Sequence, residues 1–128
     1  MRIYVATSFL NRNEARRVMV LLRAAGHSIT HDWTYEDPYG RVGPELQRYF
    51  GECAATDVAA VVAADALLVL HHERGRGMLV ELGIALADPA KPILVVGAPP
   101  FAPIFYALPR VRHFPAIGPA LQALGEVP

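Results

Sequence analysis

A single glutamate stands in an otherwise apolar stretch of the chain. From residue 78 to residue 87, every residue except Glu81 is apolar or glycine. A helix that is apolar on all sides is expected to be buried, and a buried carboxylate needs either a partner or a chemical task. Glu81 also lies in the first turns of the predicted helix, where the helix dipole favours negative charge. Two hypotheses stay open: a dipole-stabilised glutamate on a half-exposed face, or a carboxylate that does chemistry.

Three further polar side chains have uncommon neighbours. Asp57 lies among small apolar residues, so it either belongs to a solvated helix face or is a carboxylate with a function. Tyr4 is inside a predicted strand, where Ile3 and Val5 should point to the opposite face, so its ring is either core or a phenol aimed at a site. Asp65 directly precedes an apolar strand, and we predict a structural role in which it caps a turn or bonds backbone amides.

A glycine-rich turn precedes the helix that carries Glu81. Gly75 and Gly77 flank its start and would expose backbone N–H groups to a ligand, although such turns also simply connect strands to helices. Thr7 and Ser8 follow the first strand, where their hydroxyls either cap a helix or bind a phosphate or sugar oxygen. Trp33, the only tryptophan, lies in a loop and either stacks on a base or fills the core.

Composition excludes several classes of protein. Lys and Arg number 12, as do Asp and Glu, so the basic patch of a nucleic-acid binder is not expected. The five histidines have no metal-ligand spacing, and the P-loop and Gly-x-Ser-x-Gly motifs are missing, so we predict neither a metal site nor a cofactor. The single cysteine, Cys53, predicts a reducing, cytoplasmic setting. The apolar run over residues 58–70 is interrupted by Asp65 and is too short for a membrane span, and we expect a soluble protein without a signal peptide.

The elements that would position these residues alternate between strands and helices. We predict one domain over residues 1–128, with strands over 3–6, 27–31, 66–70, 93–96 and 111–114. Helices are predicted over 12–25, 45–63, 78–87 and 116–124, the first with Asn11 as N-cap and Gly26 as its stop. This order predicts an α/β, Rossmann-like fold: a parallel sheet of about five strands in flavodoxin-like order, flanked by helices. Ligands of such sheets bind beyond the carboxyl ends of the strands, which marks residues 7–12, the loop after His31, and residues 71–77.

Three stretches of the chain resemble the nucleoside 2-deoxyribosyltransferase superfamily. The first is Ile-Tyr-Val-Ala-Thr-Ser-Phe over residues 3–9, and the second runs from Asp57 through Ala-Asp-Ala-Leu-Leu-Val-Leu over residues 64–70. The third is Gly-Met-Leu-Val-Glu-Leu-Gly-Ile-Ala over residues 77–85, followed by Lys-Pro-Ile over residues 91–93. Their order and spacing agree over about residues 2–97. The Gly-x-x-x-Glu spacing is similar to that of the cytidylate-type N-glycosidases.

The resemblance implies roles for individual residues. Glu81 would attack the anomeric carbon of the sugar, Tyr4 would orient its carboxylate, and Asp57 would assist departure of the base. The sugar would then pass to water in a hydrolase or to another base in a transferase. The residues that would bind this small nucleoside or nucleotide are Thr7, Ser8, Phe9, Trp33, Gly75, Gly77 and Met78.

The sequence also departs from the family pattern. Leu10 stands where nucleotide-hydrolysing relatives have an arginine, and Gly75 stands where they have a serine and the transferases an aspartate. Phosphate binding would therefore need Arg12, Arg74 or Arg76 as a substitute. Two other functions stay open: a nucleotide sensor that does not cleave, and an NAD-cleaving enzyme of the Toll/interleukin-receptor-like type.

Self-association is the last expectation from the sequence. Hydrophobic residues make up 53% of a short chain, and residues 53–64 are apolar on nearly every side. We therefore predict a homodimer or a larger even-numbered oligomer whose contact is formed by this helix.

Overall fold

A five-stranded parallel sheet forms the centre of the protein. The structure is a computed structural model that describes residues 1–127. The strands are β1 (Arg2–Ala6), β2 (Ser28–Ile29), β3 (Ala66–Leu70), β4 (Ile93–Val96) and β5 (Val111–Phe114). Their order in the sheet is β2-β1-β3-β4-β5, and every neighbouring pair is parallel. The predicted flavodoxin-like order is therefore confirmed.

Four helices flank the sheet. They are α1 (Arg12–Ala24), α2 (Gly43–Ala63), α3 (Arg76–Leu86) and α4 (Ile117–Gly125). The chain moves one way along the sheet through α1 and the other way through α2 and α3, so right-handed crossovers place α1 and the α2–α3 pair on opposite faces. None of the helices within residues 1–127 combines the length and the apolar character that a membrane span needs.

The start of α1 differs from the prediction. Asn11 lies at the N-cap position, but its side chain makes no capping hydrogen bond. A short 3₁₀ turn over Phe9–Asn11 comes first, and the Ser8 hydroxyl accepts from the backbone N–H of Leu10. The Asn11 amide instead donates to the hydroxyl of Thr7, at 3.2 Å. The predicted end of α1 is confirmed, since Gly26 adopts φ +92°.

Strand β2 is shorter than predicted, and the side chain of Trp33 makes a hydrogen bond that the missing part of the strand would otherwise make. The strand ends at Ile29, so the β1 carbonyl of Val5 has no partner in the sheet on that side. The indole N–H of Trp33 donates to this carbonyl at 2.7 Å. The hydrogen-bonding potential of β1 is therefore satisfied by a side chain.

The apolar helices are less buried than the sequence predicts. In α3, Met78, Leu82 and Ala85 enter the core, but Leu79 and Val80 are exposed in the single chain. In α2, only Ala60 and Val61 are buried. The expectation that the Glu81 helix is buried on all sides is thus wrong for the isolated chain. A continuous apolar sequence indicates that a helix is unfavourable in water. It does not show whether the helix is covered by its own chain or by a second chain.

The predicted structural role of Asp65 agrees with its contacts. Its carboxylate accepts the backbone N–H of Arg2 at 2.7 Å and pairs with the Arg2 guanidinium at 3.1 Å. These contacts hold the beginning of β1 beside the beginning of β3. They support the register between the two strands, in which Tyr4 lies opposite Leu67.

Candidate active site

The cavity that contains Glu81 lies at the carboxyl end of β1. Residues from the loops after β1, β2 and β3, from α2 and from the start of α3 meet there. All three segments that the fold rule marks therefore contribute to the cavity. The cavity has a volume of about 320 Å³. It is lined by Thr7, Ser8, Phe9, Leu10, Trp33, Glu36, Asp57, Arg74, Arg76, Gly77 and Glu81.

Glu81 makes a hydrogen bond with a tyrosine of β1. The Tyr4 hydroxyl donates a hydrogen bond to Glu81 Oε2. The pKa of Glu81 is raised to about 8, chiefly by burial; the Tyr4 hydrogen bond opposes the shift, and the charges of Asp57 and Glu36 contribute to it. The Glu81 carboxylate is thus poorly solvated, which favours reaction with an electron-poor carbon.

Tyr4 combines both roles that the sequence leaves open. Its residue is fully buried in β1, as a core aromatic would be. Burial and then the nearby Glu81 charge raise the pKa of the Tyr4 phenol well above its ordinary value. The phenol therefore stays protonated and acts as a fixed donor to Glu81.

Asp57 faces the same cavity from α2. Its side chain is 23% exposed, which excludes the solvated helix face as an interpretation. The pKa of Asp57 is raised to about 6, first by burial and then by the charge of Glu36, while His31 opposes the shift. A carboxyl group whose pKa is near neutrality can donate a proton at physiological pH.

The loop after β2 adds two groups to Asp57. Nε2 of His31 lies 3.7 Å from Glu36 Oε2 and 3.7 Å from Asp57 Oδ1. The three ligand atoms lie within 4.8 Å of one another, so the cluster has the dimensions either of a proton-sharing group or of a metal site. We interpret it as proton-sharing, because the two carboxyl groups lie on either side of a histidine nitrogen that can exchange a hydrogen bond with each of them.

Most of the predicted binding residues line the cavity. Thr7, Ser8, Phe9 and Gly77 border it, as the sequence predicts. Trp33 also borders it, but the residue is only 5% exposed and its indole N–H is bonded to Val5. Trp33 therefore forms a wall of the cavity and fills the core, which leaves little of its ring face for stacking on a base.

Gly75 and Met78 lie outside this cavity. Met78 is a core residue, and a Cβ added to Gly75 would lie 2.9 Å from atoms of its side chain. Glycine at position 75 thus allows the turn to pack closely on Met78. We interpret both as residues that shape the turn before α3, and not as residues that touch a ligand in this cavity.

Glu36 and His31 were not identified from the sequence as site residues. Glu36 lies in an aromatic- and proline-rich loop, and no motif distinguishes it from the neighbouring acids Asp32 and Asp37. The available signal was positional: the loop follows β2 at the carboxyl edge of the sheet. The contact with Asp57 depends on how α2 returns past that loop, which local sequence does not specify.

A second depression adjoins the carboxylates. It has a volume of about 620 Å³, and Leu10 and Arg74 line both spaces. Only the smaller cavity contains Glu81 and Asp57, so we place the chemistry there.

Comparisons with known proteins identify the fold. No protein-family model matches the sequence, and no curated protein matches it. Among solved structures, the chain is similar to the CMP N-glycosidase BcmB of Clostridium botulinum, with a TM-score of 0.58 and 18% sequence identity. The likeness covers 99% of this chain and 100% of that chain. It therefore confirms the resemblance at the level of the fold, and extends it past residue 97, where the sequence resemblance fades.

Proposed function

We propose that the protein cleaves the N-glycosidic bond of a nucleoside or a nucleoside monophosphate, with Glu81 as nucleophile. The observation that carries this proposal is the partly buried Glu81 carboxylate, held by the Tyr4 phenol and facing the same cavity as Asp57. The shared fold with a CMP N-glycosidase supports it.

The reaction needs two carboxyl groups in different protonation states. Ionised Glu81 attacks the anomeric carbon, and the electrons of the carbon–nitrogen bond move to the departing base. Protonated Asp57 gives its proton to that base. Water then attacks the glycosyl-enzyme and returns a proton to Asp57, or a second base takes the sugar in a transfer reaction. The Tyr4 hydrogen bond fits a carboxylate that must stay aligned. The pKa of Glu81, about 8, is above that of Asp57, about 6, so without substrate the proton is held mainly by Glu81. The proposed reaction therefore requires that this proton passes to Asp57 when the substrate binds.

The cavity is lined by two arginines as well as by carboxylates, and the positive charge of the arginines suits a phosphorylated substrate. Arg74 and Arg76 line the space beside the carboxylates. Within residues 1–127, neither guanidinium makes an ion pair or a hydrogen bond, in contrast to Arg2, which is paired. Unpaired arginines suit a phosphate because they bind its oxygens in a bidentate way. We propose that they replace the family's missing arginine and serine, with the Thr7 and Ser8 hydroxyls nearby.

A substrate panel tests the proposed function. Purified protein is incubated with nucleosides, nucleoside monophosphates and NAD, and the release of free base is followed by chromatography. We expect base to be released from at least one nucleoside or monophosphate. Glu81→Gln should lower turnover by several orders of magnitude while circular dichroism stays unchanged, because the nucleophile is lost.

Control variants make this result specific. Glu52→Gln changes the charge equally at an exposed position of α2 and should retain activity. Tyr4→Phe should reduce turnover by about 10²-fold or more, since it removes a positioning group. Near wild-type turnover by folded Glu81→Gln would refute the nucleophile, and release of base from NAD alone would favour the NAD-cleaving alternative.

A further inference from the structure

The environment of Asp57 contains more acid–base groups than the proposed reaction uses. Besides Glu36 and His31 from the loop after β2, Asp57 is faced by Cys53 one turn earlier on α2, by Glu81 from α3 and by Tyr4 from β1. The cavity also carries the guanidiniums of Arg74 and Arg76. Within residues 1–127, His31 is the only basic side chain that approaches the Asp57 carboxylate within 4.0 Å.

Two atoms of this cluster are buried and unsatisfied. His31 Nε2 and Asp57 Oδ1 are shielded from solvent and have no hydrogen-bond partner among the described residues. They lie 3.7 Å apart, which is slightly too far for a hydrogen bond and close enough for one to form after a small rotation. Buried polar atoms of this kind are uncommon and usually mark a functional arrangement.

We propose that Glu36 and His31 are positioning residues for proton transfer by Asp57. This inference rests on the proposed function. Before the bond breaks, the Glu36 carboxylate favours a proton on Asp57, because two carboxylates in one buried cluster resist ionising together. After that proton has moved to the base, Nε2–H of His31 donates to the Asp57 carboxylate that remains. When water attacks the glycosyl-enzyme, its proton returns to Asp57 and the cluster is restored.

A separate groove keeps His31 in contact with solvent. His31 borders a space of about 520 Å³ between the end of β2 and α2, together with Thr30, Ala55, Thr56 and Ala59. This groove and the carboxylate cavity have no lining residue in common. The His31 side chain can therefore be reached from solvent even when a substrate fills the cavity.

The test is a direct titration of Asp57. The protein is labelled with ¹³C at aspartate carboxyl groups, the Asp57 signal is assigned by its loss in Asp57→Asn, and its midpoint is measured by NMR. Glu36→Gln removes the like charge and should lower the midpoint by about one pH unit. His31→Asn removes the opposing charge and should raise it. Glu52→Gln, which removes an exposed charge of the same helix, should leave it unchanged.

The opposite directions of the two shifts make the experiment decisive. A general loosening of the site would expose Asp57 and lower its midpoint in both variants, so a fall in His31→Asn would overturn the proposal. An unchanged midpoint in Glu36→Gln would also overturn it. Glu36→Asp keeps the charge and should restore most of the wild-type value, which separates charge from packing if Glu36→Gln folds poorly.

Two further measurements separate this inference from its alternatives. If dialysis against EDTA shifts the wild-type midpoint, the cluster holds a cation and the proposal is wrong. The titration needs no turnover, so it reports on the cluster even if the substrate panel fails. With an active substrate, the limb of the pH profile of kcat/KM that belongs to Asp57 should move in the same directions as the midpoints.

Discussion

At the scale of single residues, Glu81 has an environment that opposes its own charge. Its pKa is raised to about 8 by burial, and Asp57 and Glu36 add negative charge to the same cavity. A folded protein gains no stability from this arrangement, because an ionised carboxylate is better solvated in the unfolded chain. Such an unfavourable environment is expected where a group has been selected for reactivity.

The first prediction at this scale concerns stability. Because the folded-state pKa of Glu81 is raised, its contribution to stability is fully present below the ordinary value of 4.5 and is lost as the pH rises through about 8. Glutamine has no such dependence. Glu81→Gln should therefore melt at a temperature at least about 2 °C above wild type at pH 8, and the difference should vanish near pH 4.5.

Thermal unfolding followed by circular dichroism at the two pH values gives the measurement. Glu52→Gln removes an exposed carboxylate and serves as the matched control, for which we expect no such pH-dependent difference. If Glu81→Gln is less stable than wild type at pH 8, the carboxylate is better satisfied in the folded protein than its surroundings indicate.

At the same scale, sequence and structure agree best for residues whose surroundings are set by the neighbouring residues in the sequence. The apolar neighbours of Glu81 predict a carboxylate that is poorly solvated, and the place of Asp65 before β3 predicts a structural carboxylate. Glu36 and His31 were not identified, because their significance comes from a contact with a helix more than twenty residues away. The sequence also leaves open whether Trp33 binds a base or fills the core. Its indole N–H bonds to the Val5 carbonyl because β2 ends early, and the sequence around Trp33 does not show where β2 ends.

At the scale of elements, one lysine connects the end of α2 to the beginning of β4. Lys91, the chain's only lysine, is buried, and its ammonium donates to the carbonyls of Val61 at 2.5 Å and Val62 at 3.1 Å. These carbonyls belong to the last turn of α2, where the helix dipole favours a cation. Burial lowers the pKa of Lys91. The contact fixes the helix that carries Asp57 against the sheet.

Removing this contact should destabilise the protein. Lys91→Met keeps most of the side-chain volume but leaves two helix carbonyls without their donor. We expect a loss of about 2 kcal/mol in the free energy of unfolding, which is typical of charged hydrogen bonds, measured by urea denaturation. Arg23→Met removes an exposed cation from the last turn of α1 and should change stability by less than about 0.5 kcal/mol. Equal stabilities of the two variants would contradict the structural role of Lys91.

The elements themselves were largely predictable from the sequence. The bounds of β3, β4 and β5 agree with the prediction, because each is an apolar or β-prone run that ends at clear turn signals. Helix α2 begins two residues earlier than predicted, since Pro44 is tolerated in the first turn. Helix α3 also begins two residues earlier, at Arg76, so the glycine turn forms part of the helix start.

At the scale of the whole molecule, strand order determines where the carboxylate cavity lies. The chain reverses direction across the sheet between β1 and β3, and the carboxylate cavity opens at the carboxyl end of β1 beside this reversal. Helices that diverge at such a point leave a crevice between them. Glu81, Asp57 and Glu36 belong to three different segments, and only this topology brings them to one cavity.

The apolar surface of α2 and α3 leads to the last prediction. Phe50, Val58 and Val62 on α2 are exposed in the single chain, as are Leu79 and Val80 on α3, and the two helices pack together. Exposed apolar side chains in such number are unfavourable in water unless a partner covers them. A second copy related by two-fold symmetry would present the same surface and so complement it.

We therefore expect a homodimer that is formed through this surface. Size exclusion with light scattering at micromolar concentration should give twice the chain mass of 13.9 kDa. Val62→Glu should shift the mass toward the monomer, because the contact would bury an unpaired carboxylate. The control is Val20→Glu on α1: the two valines are 62% and 64% exposed, so the substitutions match in chemistry and exposure, but α1 lies on the other face of the sheet. A monomeric wild-type protein would contradict the dimer, and dissociation by Val20→Glu but not by Val62→Glu would place the contact on the opposite face.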